Sequence, residues 1–183
     1  ALEEDMELMR FEAINSDKKV AVASIKNEES KFDALDEVLN KTGFDALLEE
    51  QLTAAGKTKT DFYIVIKPNF MFAYNKSDRT TFTDPELVAH LVERLRKGGF
   101  EKIAVVEAHS TYGEYFDKRS VAEMAEYLGF TGKAGYEIID MTKDAVDQQE
   151  FGPHLGKHPV SSSWRDADFR ISFAKNKTHA YSY

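Results

Sequence analysis

Four short stretches hold most of this chain's candidates for chemistry: Lys67-Pro68-Asn69, Glu107-Ala108-His109-Ser110-Thr111, the single Asp140, and Lys175-Asn176-Lys177-Thr178-His179. Lysine ammonium groups bind phosphate or carboxylate oxygens as point charges, and hydroxyl groups supply further donors to the same oxygens. Lys67 and Lys177 are therefore expected to hold a small anionic ligand, with Asn69 orienting it. Hydroxyls from Thr80, Thr81, Thr83, Ser110 and Thr111 would complement the anion, Thr81 and Ser110 foremost. Glu107 and His109 are the candidate acid–base groups, with His179 as a second choice. Glu107 follows four apolar residues, and a carboxylate buried there without a partner would cost several kcal/mol. An ion pair with Lys67 or Lys177 is thus the structural alternative to a catalytic role. Glu107, His109, Asp140 and His179 together also form an oxygen and imidazole set that suits zinc, nickel or iron. The sequence leaves the metal and any cofactor open.

The elements that must position these residues follow from hydrophobic spacing. Val20 to Ile25, Phe62 to Ile66, Ile103 to Val106, Tyr136 to Met141 and Asp168 to Ala174 read as five strands. Helices are expected between them. One starts at Ser30, is stopped or kinked at Gly43 and continues as a stripe through Phe44, Leu47, Leu48 and Leu52. Another begins at Asp84 with Thr83 as its hydroxyl cap, buries Leu87, Val88, Leu91, Val92 and Leu95, and ends at Gly98-Gly99. Ser120 and Glu123 form a capping box for a third, which Gly129 stops. A further short amphipathic helix is expected over residues 2–13, and a loop or hairpin over 142–160. Strands alternating with helices give an α/β domain with a mainly parallel sheet of about five strands flanked by helices. Residues 1–18 read as an acidic N-terminal segment and 19–183 as a single domain. In such sheets ligands bind beyond the carboxyl ends of the strands, where all four stretches fall. The start of the helix at Asp84 would add backbone N–H groups and a positive dipole end to an anion site there.

Composition narrows the function classes. There is no cysteine, which removes disulfides, thiolate-bound zinc, cysteine-held iron–sulfur clusters and a cysteine nucleophile within these residues. Residues 1–56 carry 14 acids against 6 Lys/Arg, while residues 57–183 balance at 18 and 18. That distribution disfavours nucleic acid or anionic lipid as a partner, since both need a cationic face. No apolar run approaches the roughly 18 residues of a membrane span. The sequence has no phosphate loop, no glycine-rich dinucleotide fingerprint after the first expected strand, and no Gly-x-Ser-x-Gly elbow. The absence of a basic segment followed by an apolar stretch leans toward the cytoplasm, although a leader already removed stays open because the first residue is Ala1.

Lys67-Pro68-Asn69, Thr81, Thr83-Asp84-Pro85-Glu86-Leu87-Val88, Gly99, the strand ending in Glu107, Ala167-Asp168 and Lys177-Thr178-His179 occur in an order and spacing that resemble one family. It is the family catalogued as domain of unknown function three-six-two, and the likeness runs from about Val20 to the C-terminus. Members often carry a ferredoxin-like iron–sulfur module, which a chain without cysteine lacks. The family continues beyond its Lys-Thr-His motif, whereas this sequence stops at Tyr183, so the resemblance implies a fragment. A more distant likeness, to the N-terminal domain of nickel-dependent lactate racemases, covers Asp84 to Ser110 and Asp168 to Ser182, without the Gly-Thr-His-Arg form of the first loop.

Three functions are consistent with these observations: an enzyme domain acting on a small anion, a metal-dependent racemase-like domain, and a non-catalytic ligand-binding or assembly domain. The last strand would place Phe169, Ile171 and Phe173 on one face needing cover. Self-association, or a partner chain on that C-terminal sheet edge, is the expectation.

Overall fold

Pro85–Lys97 and Val121–Leu128 start behind a polar capping side chain, and the two central strands of the sheet are short apolar runs. The structure is a computed structural model that describes residues 20–24 and 30–177. It falls into two compact units, residues 1–45 and 46–183. The expected helix over 2–13 lies outside the described residues, as do Thr178 and His179.

In the first unit, Ser30–Thr42 forms α1. Gly43 leaves that helix at φ 70°, a left-handed conformation that glycine adopts without strain. Residues 20–24, expected to belong to the first strand, join no ladder, and Val20 and Val22 are 89% and 79% exposed. Alternation of valine with alanine gives a β-like pattern but little surface to bury, and among the described residues no neighbouring strand takes up its backbone hydrogen bonds. Phe44–Ala55 forms α2, which begins at the boundary between the units and buries Leu48 and Leu52.

The second unit carries the sheet. Ile64–Pro68 forms β1, Ile103–Glu107 β2 and Glu137–Asp140 β3. Between them run α3, Pro85–Lys97, and α4, Val121–Leu128. Val146–Glu150 and Lys157–Ser161 are β4 and β5, Ser162–Arg165 is the short α5, and Phe169–Phe173 is β6. The order β3-β2-β1-β6 is parallel throughout, while β4 and β5 pair as a separate antiparallel hairpin. Four of the five expected strands thus build the sheet, and the segment 142–160 takes the hairpin form. β1 and β2 are central and buried on both faces, which explains their uninterrupted apolar runs.

The core lies on the two faces of these central strands. Val88, Leu91, Val92 and Leu95 of α3, with Val121, Met124, Ala125 and Leu128 of α4, are buried, whereas Leu87 is only half-buried. Phe62 stacks near Phe100 at 5.8 Å between ring centres, and Phe70 against Phe130 at 4.8 Å. A second cluster joins Val65, Ala104, Val106 and Ala167 to the partly buried Tyr63, Ile139, Met141 and Trp164. On the edge strand β6, Phe169, Ile171 and Phe173 are half-buried and alternate with exposed Arg170 and Ser172. No described helix is long and apolar enough to cross a membrane.

At the amino edge of the sheet, Asp168 fastens β6 to the start of β1. Its carboxylate accepts from both the Lys57 ammonium and the Tyr63 N–H at 2.8 Å. Burial pushes the Asp168 pKa up, but the bonds from Lys57 and Tyr63 and the charges of Lys57 and Lys102 outweigh it. The net effect holds the group below its ordinary 3.8. A folded pKa below the unfolded one means stability that is present above about pH 4 and lost as pH falls through the folded value. Asp168→Asn is expected to lower stability by about 2 kcal/mol near neutral pH. Measured by denaturant unfolding, the gap between the two proteins should shrink as pH drops below the carboxylate range. A gap independent of pH would show that the charge of Asp168 contributes nothing.

Candidate functional site

Because all four strands of the sheet run the same way, Lys67, Glu107, Asp140 and the segment after Phe173 reach one edge. The strand order reverses between β1 and β6, the kind of position at which open parallel sheets bind ligands.

Glu107, the last residue of β2, is buried with its side chain 6% exposed, while the Lys67 side chain is 36% exposed. Glu107 Oε1 accepts from Lys67 Nζ at 2.7 Å and from the Ala108 N–H at 3.0 Å, and Oε2 accepts from the Phe70 N–H at 3.3 Å. Both carboxylate oxygens are therefore engaged, one of them twice. The ion pair anticipated as the structural alternative is present, and the carboxylate also fixes the backbone leaving β1 and β2.

Asn69 and Thr83 form the second part of the edge. The Asn69 N–H donates to Thr83 Oγ1 at 2.9 Å, and the Thr83 N–H donates to the Asn69 carbonyl at 2.8 Å. The buried Thr83 hydroxyl then donates to the Phe173 carbonyl at 2.9 Å, tying the loop after β1 to the end of β6. This corrects the expectation that Thr83 caps α3. The cap is Asp84, in an extended conformation, with Oδ1 accepting from the Glu86 N–H at 2.9 Å. Two adjacent residues could have capped, and the one whose side chain was not needed between the strands took that role. The same carboxylate occupies the helix start, so the dipole end expected to help an anion is already met. The Asn69 Oδ1 atom is buried and has no hydrogen-bond partner.

Other expected hydroxyls are engaged within their own turns. Thr81 donates to the Asp78 carbonyl at 3.0 Å, and Thr80 donates to Asp78 Oδ1 at 2.6 Å. Those Thr80 contacts hold the Asp78 pKa below its ordinary value. Ser110 precedes the 3₁₀ turn Thr111–Tyr115 and makes no capping bond with its side chain. His109 is half-buried, and its N–H donates to Thr142 Oγ1 at 2.8 Å. Thr142 in turn donates to Asp140 Oδ1 at 2.5 Å, joining the loop after β2 to the end of β3. Lys177 lies beyond β6 and is exposed. Among the described residues no group of three or more His, Asp or Glu could hold a metal ion.

The structure adds a groove that sequence reasoning missed. It measures about 460 Å³ and is lined by Lys67, Met141, Thr142, Val146, Val160 and Trp164, among others. The available signal was Trp164, the only tryptophan in the chain, following three serines directly before the last strand. A second groove of about 610 Å³ lies between Tyr74, Phe116 and Tyr127, on the loops after β1 and β2 and the outer face of α4. There Arg119 reaches back to the Ala73 and Met71 carbonyls at 3.0 and 2.5 Å and stacks on Tyr74.

Comparison with known proteins gives one family. The model described as a domain of unknown function (DUF362) matches residues 64–183, from the first residue of β1 onward. No curated protein and no solved structure matches the chain.

The Lys67–Glu107 contact can be tested as a pair. Glu107→Gln and Lys67→Met should each destabilise the fold, with Glu107→Gln costing about 3 kcal/mol. Because the two changes remove one shared interaction, the double variant should lose about 2 kcal/mol less than the sum of the singles. Strictly additive losses in denaturant unfolding would show that the pair carries no coupling.

Proposed function

We propose that this chain, which belongs to the DUF362 family, binds a small anionic compound, a phosphate or a carboxylate, at the carboxyl edge of its parallel sheet. The observation that carries this reading is the orientation of one ion pair. Glu107 is buried and shares its charge among three donors, while the Lys67 side chain is about a third exposed and lines a groove. A carboxylate divided among a lysine and two backbone N–H groups leaves the ammonium able to take a second anion on its outer side.

Asn69 supports the same location. An unpartnered buried amide oxygen costs about 1–3 kcal/mol, which a donor on a bound compound would offset. Lys177 would add a second cation from the segment after β6. In an enzyme His109 would be the group placed for proton transfer, with Glu107 positioning Lys67. His179, the other acid–base candidate, lies outside the described residues. A metal-centred, racemase-like alternative would draw on Glu107, His109, Asp140 and His179. Glu107 already holds three donors, and Asp140 holds Thr142 and Lys143, which favours the anion reading.

Inorganic phosphate and acetate are the probes. Titration calorimetry should give dissociation constants on the order of millimolar for the better of the two, as a single ammonium contact allows. Binding should weaken with added salt and disappear in Lys67→Met, with folding checked by circular dichroism. Binding that is unaltered in a folded Lys67→Met variant would overturn the reading.

A further inference from the structure

The groove beside Lys67 has a chemistry of its own that the anion reading does not use. Its floor is anchored to the sheet, since Trp164 and Met141 pack on Val65, Ala104, Val106 and Ala167. Its far wall is the β4–β5 hairpin, which contributes Val146, Pro159 and Val160. The hairpin is fastened at its base, where the Ser162 N–H donates to the Ala145 carbonyl at 2.8 Å and the Ser163 N–H to Asp144 Oδ2 at 3.0 Å. The Trp164 backbone is held to the sheet as well, because Arg170 of β6 donates through Nε to the Trp164 carbonyl at 2.5 Å. Among the described residues Lys67 is the one charged residue in this mostly apolar lining, and Ser161 is among its few polar ones.

We propose that this groove holds the body of the anionic compound, and that the compound is a monocarboxylate with an apolar or flat aromatic tail. The inference rests on the anion-binding reading for Lys67 and adds the class of molecule. A phosphate dianion is recognised by several donors together, commonly a helix N-terminus or a glycine-rich turn. Here the nearest long helix start is closed by the Asp84 carboxylate, and the Thr142 hydroxyl is donated to Asp140. Asp140 and Asp144 stand beside the groove and oppose a second negative charge. A single cationic residue in an otherwise mostly apolar lining matches a single carboxylate on an apolar body. The volume of about 460 Å³ lies in the range of small-molecule sites.

Trp164 makes the test direct, because it is the sole tryptophan and lines the groove. Acetate, hexanoate, 3-phenylpropionate, inorganic phosphate and hexanol are titrated into the unmodified chain, with fluorescence and calorimetry in parallel. Hexanoate and 3-phenylpropionate should bind at least about tenfold more tightly than acetate and shift the Trp164 emission, since each buried methylene adds several-fold in affinity. Hexanol should bind more weakly than hexanoate, and Lys67→Met should abolish that difference. If acetate binds through Lys67 and the longer acids bind no better, the groove is not the body site, yet the anion reading stands. Phosphate binding more tightly than every carboxylate overturns the monocarboxylate in the same way. If none of the anions binds, both conclusions fall.

Discussion

A carboxylate at the end of a buried parallel strand must find donors, and how Glu107 finds three of them organises the carboxyl edge of this sheet. The Phe70 and Ala108 N–H groups belong to the first residues leaving the central strands, so Glu107 sets the direction of both loops. Phe70, placed in this way, packs on Phe130 behind α4. The lysine that completes the set is held at the surface of a groove. Packing in the core and the placement of one partly exposed lysine are thereby tied to the same buried charge.

The opposite edge repeats the device with different neighbours. Asp168 takes a lysine and a backbone N–H, as Glu107 does, but it joins β6 to β1 where Glu107 joins β2 to the loop after β1. The role of Asp168 is the strand junction. A groove of about 470 Å³ lies at this edge too, lined by Tyr63, Lys102 and Glu137 among others. At the carboxyl edge the turn after β3, the hairpin and α5 bring Met141, Val160 and Trp164 beside Lys67 in a mostly apolar groove.

Much of this was legible in the sequence where local chemistry decides the outcome. The capping box of Ser120 and Glu123, the stop at Gly129 and the buried runs of β1 and β2 depend on neighbours in sequence, and they form as their residue types require. Lys67 and Glu107 could be paired in advance because strand ends in a parallel sheet share an edge. Thr83 could not be assigned correctly, because its hydroxyl is claimed by Phe173, 90 residues away. Residues 20–24 show the converse, a strand-like alternation without a ladder to join. The groove was hidden for a similar reason: its lining comes from four separated segments, and apolar hairpin residues carry no motif.

The pairing of β1 with β6 has a consequence in time. Tyr63 and Asp168, which meet at the start of that pairing, stand 105 residues apart. Closing a flexible loop of that length costs about 4 kcal/mol in chain entropy before any ladder bond repays it. The nearer β1–β2 pairing has far less to close, so the central strand acquires one neighbour early and the other late. Until Phe169 to Phe173 have left the ribosome and docked, β1 is an apolar strand with an open edge. In that interval the nascent chain is at its most vulnerable to mispairing, and its need for a chaperone would be greatest.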